Sequence, residues 1–203
     1  MAREGVPDTF YVFVDQTSVM TWHNYNLTGT LGSMSVTPGW DDGSSAVFPY
    51  VRNPEFGLGF MSPFAVNTLS LWGVELDAER VRRLAASRSP SRLSCIYAFG
   101  AVEDCEKASR LYGWNMGEVR PFALASDPEP RIARVNMNIM SLARTAYARS
   151  ALDPSSIEAL WRAYWGGSEG IALELPVPPP QLRATYDSGC LWEYLIHGQL
   201  KSI

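Results

Sequence analysis

The 203-residue sequence predicts a mixed α+β fold, on three observations. Aromatic and β-branched residues dominate "TFYVFVD" (Thr9–Asp15), as they do in strands. Apolar residues at helical spacing follow, most clearly in "DPSSIEALWRAYWGG", and a second strand-like run, "SGCLWEYLIHG", lies near the end. Hydrophobic residues make up 46% of the chain and charged residues 19%, the balance of a globular protein, and the length predicts a single domain over residues 1–203.

The first half of the chain predicts a strand, an irregular stretch and a helix, in that order. After the strand at Thr9–Asp15, residues 23–68 are rich in Gly, Asn, Ser and Pro, so we expect irregular loops and short strands there. "LSLWGVEL" (Leu69–Leu76) suits either a strand or the entry to a helix. Asp77 has the residue type of an N-cap, and the helix is predicted to run from it through Arg88.

The middle of the chain predicts two strands around a helix. "SRLSCIYAF" (Ser91–Phe99) alternates, which would put Arg92 and Ser94 on the less apolar face of a strand. "AVEDCEKASRLYG" has apolar residues at helical spacing and Gly113 as its stop. "GEVRPFALA" (Gly117–Ala125) is a predicted strand, in which Pro121 favours an edge position or a bulge.

Two helices and a strand are predicted in the last third. One helix begins at Asn136, and the other has Asp153 as its cap, Pro154 at its first position and Gly166 at its end. "LPVPPPQ" (Leu175–Gln181) is expected to form a stiff surface loop. The terminal strand follows, and Gly198 is expected to mark a turn or bulge before "QLKSI".

Charge, cysteine and histidine content argue against several classes of function. The formal net charge of -4 offers no overall attraction to nucleic acid or to an anionic membrane, although the arginines of "ERVRRLAASRSPSR" keep a nucleic-acid binder as an alternative. Cys95, Cys105 and Cys190 have no Cys-x-x-Cys spacing, which predicts small, buried apolar residues with free thiols in a reducing compartment; Cys190 is the one to test for reactivity. His23 and His197 are far apart and predict no metal site.

Other common motifs are missing from the sequence. There is no Gly-x-Ser-x-Gly of a hydrolase, and "GLGFMSPF" lacks the third glycine of a dinucleotide-binding turn. No segment has the length of a signal peptide or a membrane span. We therefore expect a protein that is cytoplasmic, or delivered into a target cytoplasm, with no membrane partner.

Glu193 is the residue that most needs an explanation, because it lies in an otherwise apolar run. Alternation puts it on one strand face with Leu191, Leu195 and His197, whereas the opposite face is apolar and should pack on the core. Its carboxylate is then either an edge-strand charge that discourages aggregation or part of the wall of a cleft.

Four segments resemble, in order, the motifs of a little-characterised bacterial family of the ADP-ribosyltransferase fold. They are "PSRLSCIYAFGAVEDCEKA", "NMNIM", "LWRAYWGG" and "LWEYLIHGQLKSI", and the resemblance covers roughly residues 75–203. It implies a split pair of small β-sheets with flanking helices and NAD, as substrate, bound in the cleft between the sheets. The expected activity is mono-ADP-ribosyl transfer, a glycosyltransferase reaction; the protein would be a toxin, an effector or a housekeeping enzyme. A toxin would also have a cognate inhibitor protein as a partner.

The resemblance also implies roles for individual residues. Glu193 corresponds to the catalytic glutamate, which binds the nicotinamide-ribose 2′-hydroxyl and stabilises an oxocarbenium-like transition state. Arg92 would clamp the pyrophosphate, or is otherwise a solvated surface cation near a helix end. Ser91 or Ser94 would support Glu193, and Tyr11 or Tyr97 would stack on nicotinamide. The cofactor-binding residues implied are Tyr11, Phe13, Ser91, Arg92, Ser94 and Tyr97.

The sequence departs from the better-known members of this fold at two positions. Val12 stands where they place an arginine or histidine on the first strand, which keeps open a catalytically silent binding or effector module. Leu191 stands where arginine-modifying members have Glu or Gln, and it has no group to hold a guanidinium. We therefore expect an acceptor other than arginine; with water as the acceptor, the protein would be an NAD glycohydrolase.

Overall fold

The computed structural model describes residues 5–33, 72–126, 129–149, 152–177 and 182–203. These residues form two compact units that alternate along the chain. Unit 1 contains residues 5–33, 90–126, 129–133 and 194–203, and unit 2 contains residues 72–89, 134–149, 152–177 and 182–193. The single domain over residues 1–203 stays a prediction.

The predicted α+β class is confirmed, since short antiparallel strand pairs alternate with helices in the described residues. The strands form a four-stranded sheet, a three-stranded sheet and a two-stranded hairpin. In those ranges, every helix falls short of the length and hydrophobicity that crossing a bilayer requires. The elements are β1 (Thr9–Phe13), α1 (Val19–Thr28), β2 (Thr30–Gly32), α2 (Trp72–Ala85), β3 (Ile96–Ala98), α3 (Val102–Tyr112), β4 (Val119–Leu124), β5 (Arg131–Asn136), α4 (Met137–Ala148), α5 (Pro154–Trp165), β6 (Ala172–Val177), β7 (Leu182–Asp187), β8 (Trp192–His197) and β9 (Gln199–Ser202).

Unit 1 is built on the four-stranded sheet, in the order β1-β4-β9-β2. In β1 the residues alternate as predicted for a strand, with Phe10 and Val12 buried and Tyr11 and Phe13 partly exposed on the opposite face. The core is made of apolar side chains from both this sheet and the three-stranded sheet, whose order is β3-β8-β5. The buried members of this cluster are Phe10, Val12, Val14, Leu31, Ile96, Ala98, Phe122, Tyr194, Ile196 and Leu200.

The four-stranded and three-stranded sheets are connected at two places. Tyr11 and Phe99 exchange backbone N–H to C=O hydrogen bonds of 2.8 Å each, which joins β1 to the end of β3. The chain also passes from β8 to β9 through Gly198 alone, whose φ is 154°. A Cβ atom at Gly198 would lie 2.9 Å from Cβ of Pro130, so only glycine fits there. The predicted turn or bulge at Gly198 is thus a change of sheet.

Unit 2 contains α2, α4, α5 and the β6–β7 hairpin. The predicted start of α5 is confirmed, because Oδ1 of Asp153 accepts the N–H groups of Ser155 and Ser156 at 2.8 and 3.0 Å. The predicted stripe of α5 is largely buried, with Trp161 and Tyr164 completely so. The predicted start of α4 is confirmed as well, with the Asn136 side chain as its cap.

The predicted helix at Asp77 begins earlier, at Trp72, so Asp77 lies inside α2 and its assignment as N-cap is wrong. Of the two alternatives for Leu69–Leu76, the helix is correct from Trp72; residues 69–71 lie outside the described residues. Oδ2 of Asp77 accepts a 2.7 Å hydrogen bond from the Tyr147 hydroxyl of α4. Because this partner lies on another helix, the Asp77 side chain does not compete with the backbone hydrogen bonds of its own helix.

The strand predicted over Ser91–Phe99 is confirmed only for Ile96–Ala98, and the residues before it form a tight turn. The carbonyl oxygen of Ser91 accepts the N–H groups of Ser94 and Cys95 at 3.1 and 3.0 Å. Its hydroxyl accepts the N–H of Leu93 at 3.2 Å, a local bond that competes with strand pairing. Arg92 and Ser94 therefore do not share a strand face.

Pro121 lies in β4, between β1 and β9, but the pairing with β9 begins at the next residue, Phe122, so Pro121 has a strand neighbour only on the β1 side, in agreement with its predicted edge position. It is opposite Tyr11, which directs its backbone N–H and C=O to Phe99 instead. A proline, which has no N–H, therefore removes no hydrogen bond between β1 and β4. The helix predicted before this strand is confirmed, since α3 ends at Tyr112 and its predicted stop, Gly113, has the left-handed conformation.

Several elements were not predicted, among them α1, β5 and the β6–β7 hairpin. Helix α1 occupies residues 19–28 of a stretch expected to be irregular from residue 23; residues 34–68 lie outside the described residues. Trp22 and Tyr25 of α1 pack on the core of unit 1, which offsets the weak helix propensity of its Asn and Thr residues. The loop predicted at Leu175–Gln181 is wrong for Leu175–Val177, which belong to β6. Pro176 is opposite Arg183 in the two-stranded hairpin. Both strands of a hairpin are edge strands, where proline is tolerated.

Candidate functional site

Glu193 lies on β8, the central strand of the order β3-β8-β5, so the edge-strand interpretation of its charge is wrong. Its side chain is buried, and the whole residue is only 5% exposed. Leu191 and Leu195, on the same face, are also buried, and so are Tyr194 and Ile196 on the other. Since an ionised carboxylate loses much of its hydration at such a site, its hydrogen bonds determine whether it can remain charged.

The phenol of Tyr164 is one hydrogen-bond donor to this carboxylate. Its hydroxyl donates to Oε1 of Glu193 at 3.1 Å, and both residues belong to unit 2. Helix α5 positions it, because the predicted apolar stripe of that helix faces the interior with Tyr164 in it. A residue expected to serve only as core packing thus contacts the carboxylate.

Asn136 holds the segment immediately before β8. Its Nδ2 donates to the carbonyl oxygens of Glu169 and Gly189, both at 2.8 Å. Its Oδ1 accepts the N–H groups of Leu191 and Asn138 at 3.1 and 3.0 Å. All four hydrogen-bonding positions of the amide are therefore used, and the chain leading to Glu193 is fixed to the start of α4. The sequence indicated Asn136 only as a helix cap.

Arg92 is buried in unit 1, at 4% exposure, so its interpretation as a solvated surface cation is wrong. Its guanidinium carbon lies 4.9 Å from the centroid of the Tyr97 ring, and the Tyr97 hydroxyl donates to the Arg92 carbonyl oxygen at 2.6 Å. Ser91 and Ser94 are fully buried in the same turn. The structure therefore brings four predicted cofactor-binding residues together before and within β3.

The remaining predicted cofactor-binding residues, Tyr11 and Phe13, lie on the face of β1 that points away from the core. The Phe13 ring makes edge contacts with Phe99 and Trp114, at centroid distances of 5.9 and 5.1 Å. Val12, by contrast, is part of the unit 1 core. An arginine or histidine at position 12 would be buried among apolar side chains, which accounts physically for the valine.

The arginine run beginning at Arg80 does not form a uniform basic surface. Arg82 is buried and makes a bidentate ion pair with Glu79, with Nε and Nη2 each 2.8 Å from a carboxylate oxygen. Its Nη1 also donates to the carbonyl oxygen of Ser89 at 2.8 Å, so it fixes the segment that follows α2. Arg80 and Arg83 are close to Asp77 and Glu79, at 3.4 and 2.9 Å. Paired charges of this kind give little attraction to a polyanion.

His197 contacts the side chain of Arg131. Its Nδ1 lies 2.7 Å from Nη2 of Arg131, and both are in unit 1. A guanidinium has only donors, so Nδ1 of His197 is the acceptor in this hydrogen bond. Within the described ranges, no group of three His, Cys, Asp or Glu side chains is arranged to hold a metal ion.

The cysteines differ in their environments. All three are free; Cys95 and Cys105 are buried, and Cys190 is exposed, contrary to the expectation that each would be a buried apolar residue. Burial raises the pKa of the Cys105 thiol to about 12, with Asp104 adding to the effect. The Cys105 thiol is therefore protonated at neutral pH.

Comparison with known proteins adds no identification. No protein-family model matches the chain, and no curated protein matches it either.

Proposed function

We propose that the protein is an NAD-consuming mono-ADP-ribosyltransferase whose catalytic carboxylate is Glu193. The observation that carries the proposal is a carboxylate that is 5% exposed on a central strand and accepts a phenol hydrogen bond. Burying a charged group costs free energy, and such groups are concentrated at functional sites. The four motifs that resemble an ADP-ribosyltransferase-fold family, taken in order, support the same assignment.

In the proposed reaction, the bond between ribose C1′ and the nicotinamide nitrogen breaks, and its electron pair leaves with nicotinamide. Positive charge develops on the ribose ring, and the carboxylate of Glu193 stabilises it. The pyridinium is a good leaving group already, so this step needs no general acid. The acceptor then attacks C1′ and loses a proton.

The binding roles are part of the same proposal. Arg92 would pair with the pyrophosphate. Ser91 and Ser94 lie in the same tight turn and are its polar neighbours. Tyr97, Tyr11 or Phe13 would contact nicotinamide or its ribose. The single-domain ADP-ribosyltransferase-like fold is proposed on the same grounds, and so is a cognate inhibitor protein if the molecule is a toxin.

We propose that the acceptor is not arginine. Leu191 is buried, at 1% exposure, and its apolar side chain has no atom that could bind or deprotonate a guanidinium. A cation next to it would lose hydration without gaining a partner. A nucleobase, another neutral or anionic group, or water is a better acceptor, and the last would make the protein an NAD glycohydrolase.

A catalytically silent binding or effector module is the second candidate, and one observation favours it. The core-facing position 12 of the first strand has valine, 1% exposed, in place of the basic residue of better-known members. A module of this kind would bind a ligand without releasing nicotinamide.

The test is nicotinamide release from NAD by the wild-type protein and by Glu193→Gln, with an arginine-rich peptide, a nucleic acid or no acceptor added. Glutamine is nearly isosteric and can still accept from Tyr164, so we expect a folded variant whose rate falls at least about a hundredfold. Glu174→Gln, on an exposed position of β6, is the matched control and should retain the wild-type rate. Equal rates for a folded Glu193→Gln and the wild type would contradict the proposal, and no release by the wild type would favour the silent module.

A further inference from the structure

We infer that Tyr164 is a positioning residue for Glu193, a role that rests on the proposed function. The observation is a tyrosine hydroxyl 3.1 Å from Oε1 of the proposed catalytic carboxylate, on a side chain that is completely buried. Tyr164 contacts the carboxylate, and the proposed function gives it no contact with NAD. It acts through the orientation of Glu193.

The ring that carries this hydroxyl is held on two sides. Trp161 and Trp165 contact it edge-on, with centroid distances of 5.6 and 5.0 Å and interplanar angles of 88° and 79°. The indole N–H of Trp165 donates to the carbonyl oxygen of Ala78 at 2.8 Å, and that of Trp161 donates to the Tyr147 hydroxyl at 3.1 Å. These bonds connect both indoles to other helices of unit 2, so the Tyr164 ring packs between two side chains that are themselves held in place.

A fixed phenol matters because the last torsion of a glutamate is soft. Rotation about the Cγ–Cδ bond has broad, shallow minima, so a carboxylate without a fixed partner samples many orientations. A hydrogen bond to Oε1 sets the plane of the group, and with it the direction of Oε2. Stabilisation of a developing positive charge requires groups that are already oriented when the charge appears. The phenol also provides a hydrogen bond to a carboxylate that is almost completely buried.

The test compares Tyr164→Phe with Tyr186→Phe. Phenylalanine at position 164 keeps the ring contacts and removes only the hydroxyl. We expect kcat for nicotinamide release to fall about tenfold to a hundredfold while KM for NAD stays within about twofold, because the lost bond orients Glu193 and not the substrate. Tyr186→Phe is the matched control, because it removes a hydroxyl of the same unit that accepts a 3.1 Å hydrogen bond from Arg149 and does not bond to Glu193 or to the indoles that hold the Tyr164 ring.

Infrared spectroscopy provides a second measurement that does not depend on catalysis. The carboxylate stretch of Glu193 is identified as the band lost in Glu193→Gln, and we expect it to shift in Tyr164→Phe and stay in place in Tyr186→Phe. An unshifted band, or equal kcat losses in the two tyrosine variants, would overturn the inference. A shifted band in a protein that releases no nicotinamide would support the orientation of Glu193 by Tyr164 and reject only the proposed reaction.

Discussion

At the scale of single residues, Arg92 is a buried cation in contact with an aromatic ring. Its guanidinium lies over the Tyr97 ring in a residue that is 4% exposed, and the Tyr97 hydroxyl bonds back to the Arg92 carbonyl oxygen. A cation against an aromatic face gains more when both are removed from water. Arg92 therefore contributes to the structure of the turn as well as to the proposed pyrophosphate site.

We predict that Arg92→Ala lowers the free energy of unfolding by about 1–3 kcal/mol, since it removes buried packing and the ring contact. Under the proposed function, KM for NAD should also rise about tenfold or more, because a charge-assisted bond is lost. Arg88→Ala is the matched control: Arg88 is exposed, and its removal should change stability by no more than about 0.5 kcal/mol. Denaturant unfolding checks the first quantity, and an Arg92→Ala as stable as Arg88→Ala would show that the buried contact contributes nothing.

At the scale of one element, helix α5 connects a local signal to the candidate site. Its first turn is held by Asp153, whose carboxylate accepts from Ser155 and Ser156, and its last turn carries Tyr164. The Ser155 and Ser156 hydrogen bonds lower the pKa of Asp153 below its ordinary value of 3.8. The ionised form is therefore the one that stabilises the helix.

The sign of the pH dependence follows from that shift. Because the folded-state pKa is depressed, the contribution of Asp153 is present above its ordinary value and is lost as the pH falls below it. We predict that Asp153→Ala is less stable than the wild type at neutral pH, and that the difference shrinks on acidification below about 3.8. Asp153→Asn, an equally good cap without a charge, should reduce the acid sensitivity. A wild-type-minus-Ala difference that is constant from neutral to acidic pH, measured by denaturant unfolding, would contradict the assignment.

At the scale of the whole molecule, the reactivity of the three thiols tests which cysteines are buried in the folded protein. Cys95 and Cys105 lie in unit 1 and are buried, whereas Cys190 lies in unit 2 and is exposed. We predict one fast-reacting thiol in the native protein and three after denaturation without reductant, because burial protects the other two and raises the pKa of Cys105 to about 12. Titration with a thiol reagent checks this, and Cys190→Ser should remove the fast phase. Fewer than three thiols after denaturation would show that a disulfide forms.

The sequence alone determined the elements whose boundaries are coded locally. Helix α5 follows from an Asp-Pro start and an apolar stripe, α3 from its stripe and Gly113, and β1 from its aromatic and β-branched residues. Each of these signals acts within one or two turns or along one strand, so neighbouring residues are enough to predict it. The free thiols and the singling out of Glu193 in "LWEYLIH" likewise needed only composition and pattern.

The tertiary structure alone decided how those elements are partnered. The sequence could not show that β8 is a central strand, that Pro121 lies opposite a residue bonded elsewhere, or that Arg92 is buried. Nor could it indicate that Tyr164, one of several aromatic residues on an apolar stripe, would reach Glu193, a residue 29 positions further along the chain. Strand order, burial and such hydrogen bonds depend on contacts between distant segments, and the free energy of those contacts overrides local propensity where the two disagree.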